Sequence, residues 1–188
     1  MWNGDTAEAA VQYSYLPSWV SFLVDKSKAA EAGSALISAV HSRWASMPAA
    51  SRPKLLLAGE SLGAYATDSA FTDIAQVSAD TDGSLRLGPP NADRLWRGIT
   101  AGREPQSPEW LPVVDQGRTV RFADQPADLD SPKGPWVQPR MVYFQNSSDP
   151  VVWWTRDLLL HRPAWLDAPP TWTAADTQRI REIIAAES

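Results

Sequence analysis

The sequence contains no cysteine and only two histidines, His41 and His161. The first absence excludes a cysteine nucleophile, a thiolate zinc site, an iron–sulfur cluster and any disulfide framework. The second leaves histidine-dependent chemistry to one of two residues. No cofactor or metal is expected from the residues present. No run approaches the roughly 20 apolar residues of a membrane span. The N-terminus, Met1-Trp2-Asn3-Gly4-Asp5, has neither a cationic region nor an apolar stretch. It therefore does not read as a signal peptide, and the chain is expected to be soluble, cytoplasmic rather than secreted. Basic charge is scarce as well. The net charge is −5 and there is no basic patch, which argues against a nucleic-acid partner.

The 188 residues suit a single domain over 1–188, at roughly 100–200 residues per domain. Hydrophobic residues make up 44% and charged residues 21%, a globular balance. Ten tryptophans and sixteen prolines are high for the length. Many of the prolines fall between residues 89 and 170, which predicts long loops, including a loop-rich insertion over about 89–118. Tryptophan is large and amphipathic. It either walls an apolar ligand pocket or fills the core and anchors loops.

Along the chain, residues 6–15 read as a short strand and residues 28–46 as a helix, with Leu36, Ile37, Val40 and Trp44 on one stripe. His41 sits at the edge of that stripe. After Arg52-Pro53, the run Lys54-Leu55-Leu56-Leu57-Ala58-Gly59 predicts a buried, parallel strand. A helix is expected from Leu62 through Gln76, then a strand over 84–88 ending at Gly88-Pro89-Pro90-Asn91. A short helix over 92–100 and strands over 119–123 and 140–145 follow. Residues 173–187 carry a terminal helix with Ile180, Ile183 and Ile184 on its apolar face. Strands alternating with helices predict an α/β fold with a mostly parallel sheet flanked by helices.

Chemistry concentrates between Leu55 and Ala70. The buried strand runs into Gly59-Glu60-Ser61-Leu62-Gly63 and a helix follows at once. G-x-S-x-G between strand and helix is the pattern of a nucleophile elbow. The turn is tight, the glycines relieve crowding on either side, and the serine hydroxyl projects above the sheet. The amide of Leu62, at the helix N-terminus, is placed to donate to an oxyanion. The competing reading is a glycine-rich turn whose serine merely caps the helix. Asp149 follows the strand Arg140–Gln145 and is the candidate acid, because such sites collect at the carboxyl ends of strands and the acid follows the serine in chain order. Its competing reading is an Asp-Pro turn. The base should be a histidine after the acid. Only His161 qualifies, and it ends an apolar stretch, Asp157-Leu158-Leu159-Leu160, with no strand between it and Asp149.

Several segments together resemble the catalytic half of a bacterial, actinobacterial-type α/β-hydrolase family: GDTAEAAVQYSYLPSWVSFLVD, PKLLLAGESLGAYATDSAF, DGSLRLGPPN, SPEWLPVVDQGRTVRFA and SSDPVVWW. The resemblance implies an α/β-hydrolase fold, with Ser61 as nucleophile and Asp149 as acid. It also implies that the catalytic half is normally preceded by a multi-pass membrane half. Two departures from the family pattern are expected to matter. The early strands, one of which normally brings a second oxyanion amide, have no counterpart. The strand and histidine-bearing segment that should precede Pro170 also look deleted.

Two functional readings follow. One is a serine hydrolase acting on a small-molecule carboxyl ester or lipid-like acyl substrate, with activity impaired. The other is a catalytically inactive α/β-hydrolase remnant or binding module. A sheet lacking outer strands exposes edges, so self-association is expected.

Overall fold

A computed structural model of the chain describes residues 5–13, 26–153, 156–161 and 178. The apolar run after Arg52-Pro53 forms β1 (Leu56–Glu60). Gly83–Leu87, Val120–Ala123 and Arg140–Phe144 form β2, β3 and β4. All pairings are parallel, in the order β1-β2-β4-β3. Gly59 of β1 lies opposite Arg86 of β2, which lies opposite Tyr143 of β4. The carboxyl ends of these three strands are therefore level, and the loops leaving them share one edge of the sheet.

The helices are α1 (Lys26–Ala45), α2 (Leu62–Asp68), α3 (Ile74–Asp80), α4 (Arg94–Ala101) and the single turn α5 (Pro150–Trp153). Side chains alternate across a strand, so Leu57, Val120, Phe122, Met141 and Tyr143 share one face. They pack there with Ile37 of α1, Val77 of α3, and Leu95, Trp96 and Ile99 of α4. Each large apolar side chain so buried stabilises by about 1.5–3 kcal/mol. The rings of Phe122 and Tyr143 stack at 5.1 Å, and Trp96 meets Trp153 edge-on at 5.9 Å. Gln145 ties this core to the loop before β3. It accepts from Trp96 Nε1 at 2.7 Å and donates to the Trp110 carbonyl at 2.9 Å. A smaller cluster of Ala29, Leu62 and Ala66 joins α1 to α2. Their crossing depends on Gly33, where an added Cβ would fall 2.3 Å from the Ala66 carbonyl oxygen.

The opposite face of the sheet is different. Leu56 is 56% exposed and Leu85 38%. Ala58 and Glu60 are exposed too. Among the described residues, only the β3 end of this face is covered. There buried Arg121 donates to the carbonyls of Gly117, Leu129 and Gly134 and lies over the Trp136 ring.

The expected strand over 6–15 is not formed. Residues 6–13 are irregular, and residues 5–12 are exposed. Residues 14–15 lie outside the described residues. The helix expected over 62–76 is two helices. Asp73 opens α3 by accepting from the Gln76 N–H at 2.9 Å, and the Gln76 amide oxygen returns to Thr72 N at 2.9 Å. That reciprocal capping at Thr72-Asp73 interrupts the apolar periodicity. The helix expected over 92–100 and the three later strands stand within two residues of their sequence boundaries. The terminal helix over 173–187 falls outside the described residues apart from Gln178. Among described tryptophans, Trp96, Trp110 and Trp153 are buried. Trp44 and Trp136 instead stack under Arg52 and Arg121.

Candidate active site

Ser61 leaves β1 and opens α2 with φ 51° and ψ −117°. This is the left-handed geometry of the first central residue of a type II′ turn, a position glycine dominates. A serine held there carries strain of about 1–3 kcal/mol. The conformation is fixed from both sides. The Ser61 N–H donates to the Leu87 carbonyl at 2.8 Å, and the Ser61 carbonyl accepts from Ala64 and Tyr65 at 3.0 and 3.2 Å. The side chain makes no capping bond to the helix it begins. Helix capping therefore does not account for the serine. The backbone is bent so that a half-buried hydroxyl stands clear of the helix.

Gly59 and Gly63 are not equivalent. A Cβ on Gly59 would lie 2.5 Å from the Gly63 carbonyl oxygen, so the close return of α2 over β1 requires glycine at 59. A Cβ on Gly63 would meet nothing within 4 Å. Crowding thus explains the first glycine of the motif and not the second. Glu60 is exposed on the open face of the sheet. Leu62 buries its side chain between α1 and α2. Its N–H is in the first turn of the helix, where intrahelical acceptors are absent. No backbone hydrogen bond from Leu62 N is formed among the described residues.

Asp149 lies after β4, two strands from β1. Strands about 4.8 Å apart put it roughly 10 Å across the sheet from the β1 axis. One carboxylate oxygen, Oδ1, caps α5 by accepting from the Val151 N–H at 2.8 Å. The other, Oδ2, lies against the end of β2: a Cβ on Gly88 would be 3.4 Å from it. Gly88 itself has φ +51°. Ser61 and Asp149 thus flank the same dipeptide, Leu87-Gly88, the first through its N–H and the second through its carboxylate.

His161 is exposed, and its neighbours Leu159 and Leu160 are 77% and 83% exposed. No hydrogen bond or ion pair among the described residues joins it to Asp149 or Ser61. The structure brings the serine and the carboxylate to one edge of the sheet, and His161 is bonded to neither among the described residues. His41 is committed elsewhere, with Nε2 3.7 Å from Asp80 and its ring 5.6 Å from Trp44. No group of three or more potential metal ligands occurs among the described residues.

Beneath this edge lies a polar network not anticipated from the sequence. Arg86 of β2 and Asp68 of α2 form a fully buried ion pair, Nε to Oδ1 at 2.6 Å. Tyr143 of β4 donates its hydroxyl to Asp68 Oδ2 at 2.7 Å. Burial, and then the charge of Asp68, push the Tyr143 phenol well above its ordinary value. Asp93 completes the network from the loop after β2. Its Oδ1 caps α4 by accepting from the Trp96 N–H at 3.1 Å. Its Oδ2 accepts from no donor. Burial foremost, with the neighbouring Asp68 charge, raises the Asp93 carboxyl to about 8. With its carboxyl raised to about 8, Asp93 is mostly protonated at neutral pH. The network joins α2, β2, β4 and the β2–α4 loop, which include the elements that carry Ser61 and Asp149. The available sequence signal was an arginine within the apolar strand SLRLG.

A fold of parallel strands with a serine in a strained strand-to-helix turn, and an acid two strands away at the same edge, defines an α/β-hydrolase-like protein. A model of an α/β-hydrolase family matches residues 1–184, and the chain belongs to that family. No curated protein and no solved structure matches the chain.

Proposed function

We propose that the chain is a serine hydrolase of the α/β-hydrolase type, acting on carboxyl esters or lipid-like acyl groups, with impaired turnover. Ser61 is the nucleophile, Asp149 the acid, and the Leu62 N–H one oxyanion donor. The observation that carries the reading is the Ser61 backbone, held at positive φ with its hydroxyl spared from capping. Strain of this kind concentrates where function needs a fixed geometry. In such a site a histidine takes the serine proton, the serine attacks the ester carbonyl, and backbone amides hold the oxyanion. The acid orients the histidine and stabilises its charged form. The acyl class rests on the resemblance alone, which implies a preceding membrane half; the described tryptophans fill the core or stack on arginines.

The impairment follows from the base. His161 is exposed and makes no hydrogen bond to Asp149 among the described residues, and a serine without a base is a poor nucleophile at neutral pH. That same observation favours a second reading, a protein that keeps the fold and the elbow for binding without turnover. Hydrolysis of a short activated aryl ester separates them. The hydrolase reading expects slow turnover above buffer that disappears in Ser61→Ala. Turnover that falls by orders of magnitude in His161→Ala would assign the base to His161. A rate equal to buffer for the unmodified chain supports the binding reading.

A further inference from the structure

We infer that Asp93 is a positioning residue for the edge that carries Ser61 and Asp149: while neutral it holds the loop Gly88–Asp93 in place, and its ionisation releases that loop. This holds whether or not Ser61 reacts, because it concerns only the shape of the edge. The loop leaves β2 at Gly88 and ends where Asp93 caps α4. Gly88 N–H donates to the Phe144 carbonyl of β4 at 2.8 Å, Asn91 N–H to the Val151 carbonyl of α5 at 3.2 Å, and Asp93 N–H to the Pro90 carbonyl at 2.8 Å. Pro89 and Pro90, between these bonds, are fully buried. Ser61 leans on the start of the loop through its N–H to the Leu87 carbonyl at 2.8 Å. Asp149 leans on it twice. Its Oδ2 lies against Gly88, and α5, which its Oδ1 caps, is bonded to Asn91. A displaced loop therefore moves the supports of both.

The far end of the loop is held inside the core. The groups facing Asp93 are Asp68 of α2, Arg86 of β2 and Tyr143 of β4. Two buried carboxylates thus share one guanidinium. Asp68 takes it, with Nε to Oδ1 at 2.6 Å, and Asp93 Oδ2 is left without a donor. A second buried negative charge would have no partner, and an unpaired buried charge is strongly disfavoured. A neutral Asp93 avoids that charge, and its carboxyl is accordingly raised to about 8 by burial and by Asp68. Once both carboxylates are charged, one of them has to leave. Asp68 lies within α2 and is held by Arg86 and by the Tyr143 hydroxyl at 2.7 Å. The Asp93 carboxylate accepts only from the Trp96 N–H, at 3.1 Å, and stands at the end of a loop. Asp93 is the one that yields, and the loop between it and Gly88 moves with it.

Amide hydrogen exchange of the 188-residue chain, followed by NMR between about pH 7 and pH 9, tests this. Protection is read at Ser61, Gly88 and Asn91 and compared with Met141, whose N–H donates to the Thr119 carbonyl at the other end of the sheet. The three edge amides should be about tenfold or more less protected than Met141, because they open without global unfolding. Opening releases one proton, so their protection should fall about tenfold per pH unit up to about 8 and level off above it. Asp93→Asn still caps α4 and cannot ionise, so it should hold the three amides at one level across the range. Asp93→Ser, which also caps without ionising, repeats the test if the amide is not accommodated. Equal protection of the edge amides and Met141 at every pH overturns the inference, because the edge then opens only when the whole chain unfolds. Edge protection that does not change with pH overturns it. A pH dependence that survives in the non-ionising variants overturns it as well.

Discussion

Ser61 holds a conformation that costs free energy without returning a hydrogen bond from its side chain. Its replacement by glycine should therefore raise stability by about 1 kcal/mol or more, because glycine enters positive φ freely. Urea unfolding of Ser61→Gly measures this, and a loss of stability would contradict the assignment of strain. The two glycines of the motif should separate in the same assay. Gly59→Ala places a methyl group 2.5 Å from a carbonyl oxygen and should cost about 1–3 kcal/mol. Gly63→Ala enters open space and should be tolerated. The serine and its first glycine were legible in the sequence because a strand returning directly into a helix imposes steric demands that few residues meet. The spacing alone could not show that Gly63 is free of that demand. The position of Asp149 just past a strand end was legible. That its carboxylate caps α5 was not, because that helix is only one turn long.

The elements meet at the buried network of Asp68, Arg86, Asp93 and Tyr143. Removing Arg86 leaves the Asp68 carboxylate buried without its cation. Arg86→Met should destabilise by about 3–5 kcal/mol, read from denaturant unfolding. Asp93 gives the fold a pH dependence of definite sign. Its carboxyl loses its proton near 3.8 in the ordinary state and near 8 in the folded one. Between those values the folded chain binds more protons than the unfolded chain, so stability falls as pH rises. The contribution is complete below about 3.8 and lost through about 8. The melting temperature should drop between these limits, and Asp93→Asn should flatten the drop. Asparagine caps a helix as well as aspartate does, so α4 should survive. None of this network was read from the sequence. Whether the Arg86 of SLRLG points inward depends on the register of β2 against its neighbours. Whether an aspartate before a helix is also buried depends on what packs over it. The division between α2 and α3 was also missed, although Thr72-Asp73 with Gln76 three residues on carries the capping pattern.

At the scale of the molecule, the parallel sheet and most of its strands were legible as short apolar runs between breakers, but the run Lys54–Gly59, expected to be buried, forms a strand that alternates exposed and half-buried because its second face is open among the described residues. The strand expected over 6–15 was misread because strand formation needs a neighbour, and composition does not supply one. Among the described residues, helices cover one face of the sheet, and the β1 half of the other stays open. Among the described residues no helix is long and apolar enough to cross a membrane. The tryptophans serve the core and the arginine-stacked loops in each described case. The hydrolase reading requires that the Ser61 hydroxyl be a competent nucleophile. Incubation with a fluorophosphonate probe, followed by peptide mass mapping, tests it most directly. The account predicts one phosphonyl adduct, on Ser61, that disappears in Ser61→Ala. An unlabelled protein at high probe concentration, or a label that persists in Ser61→Ala, would contradict it.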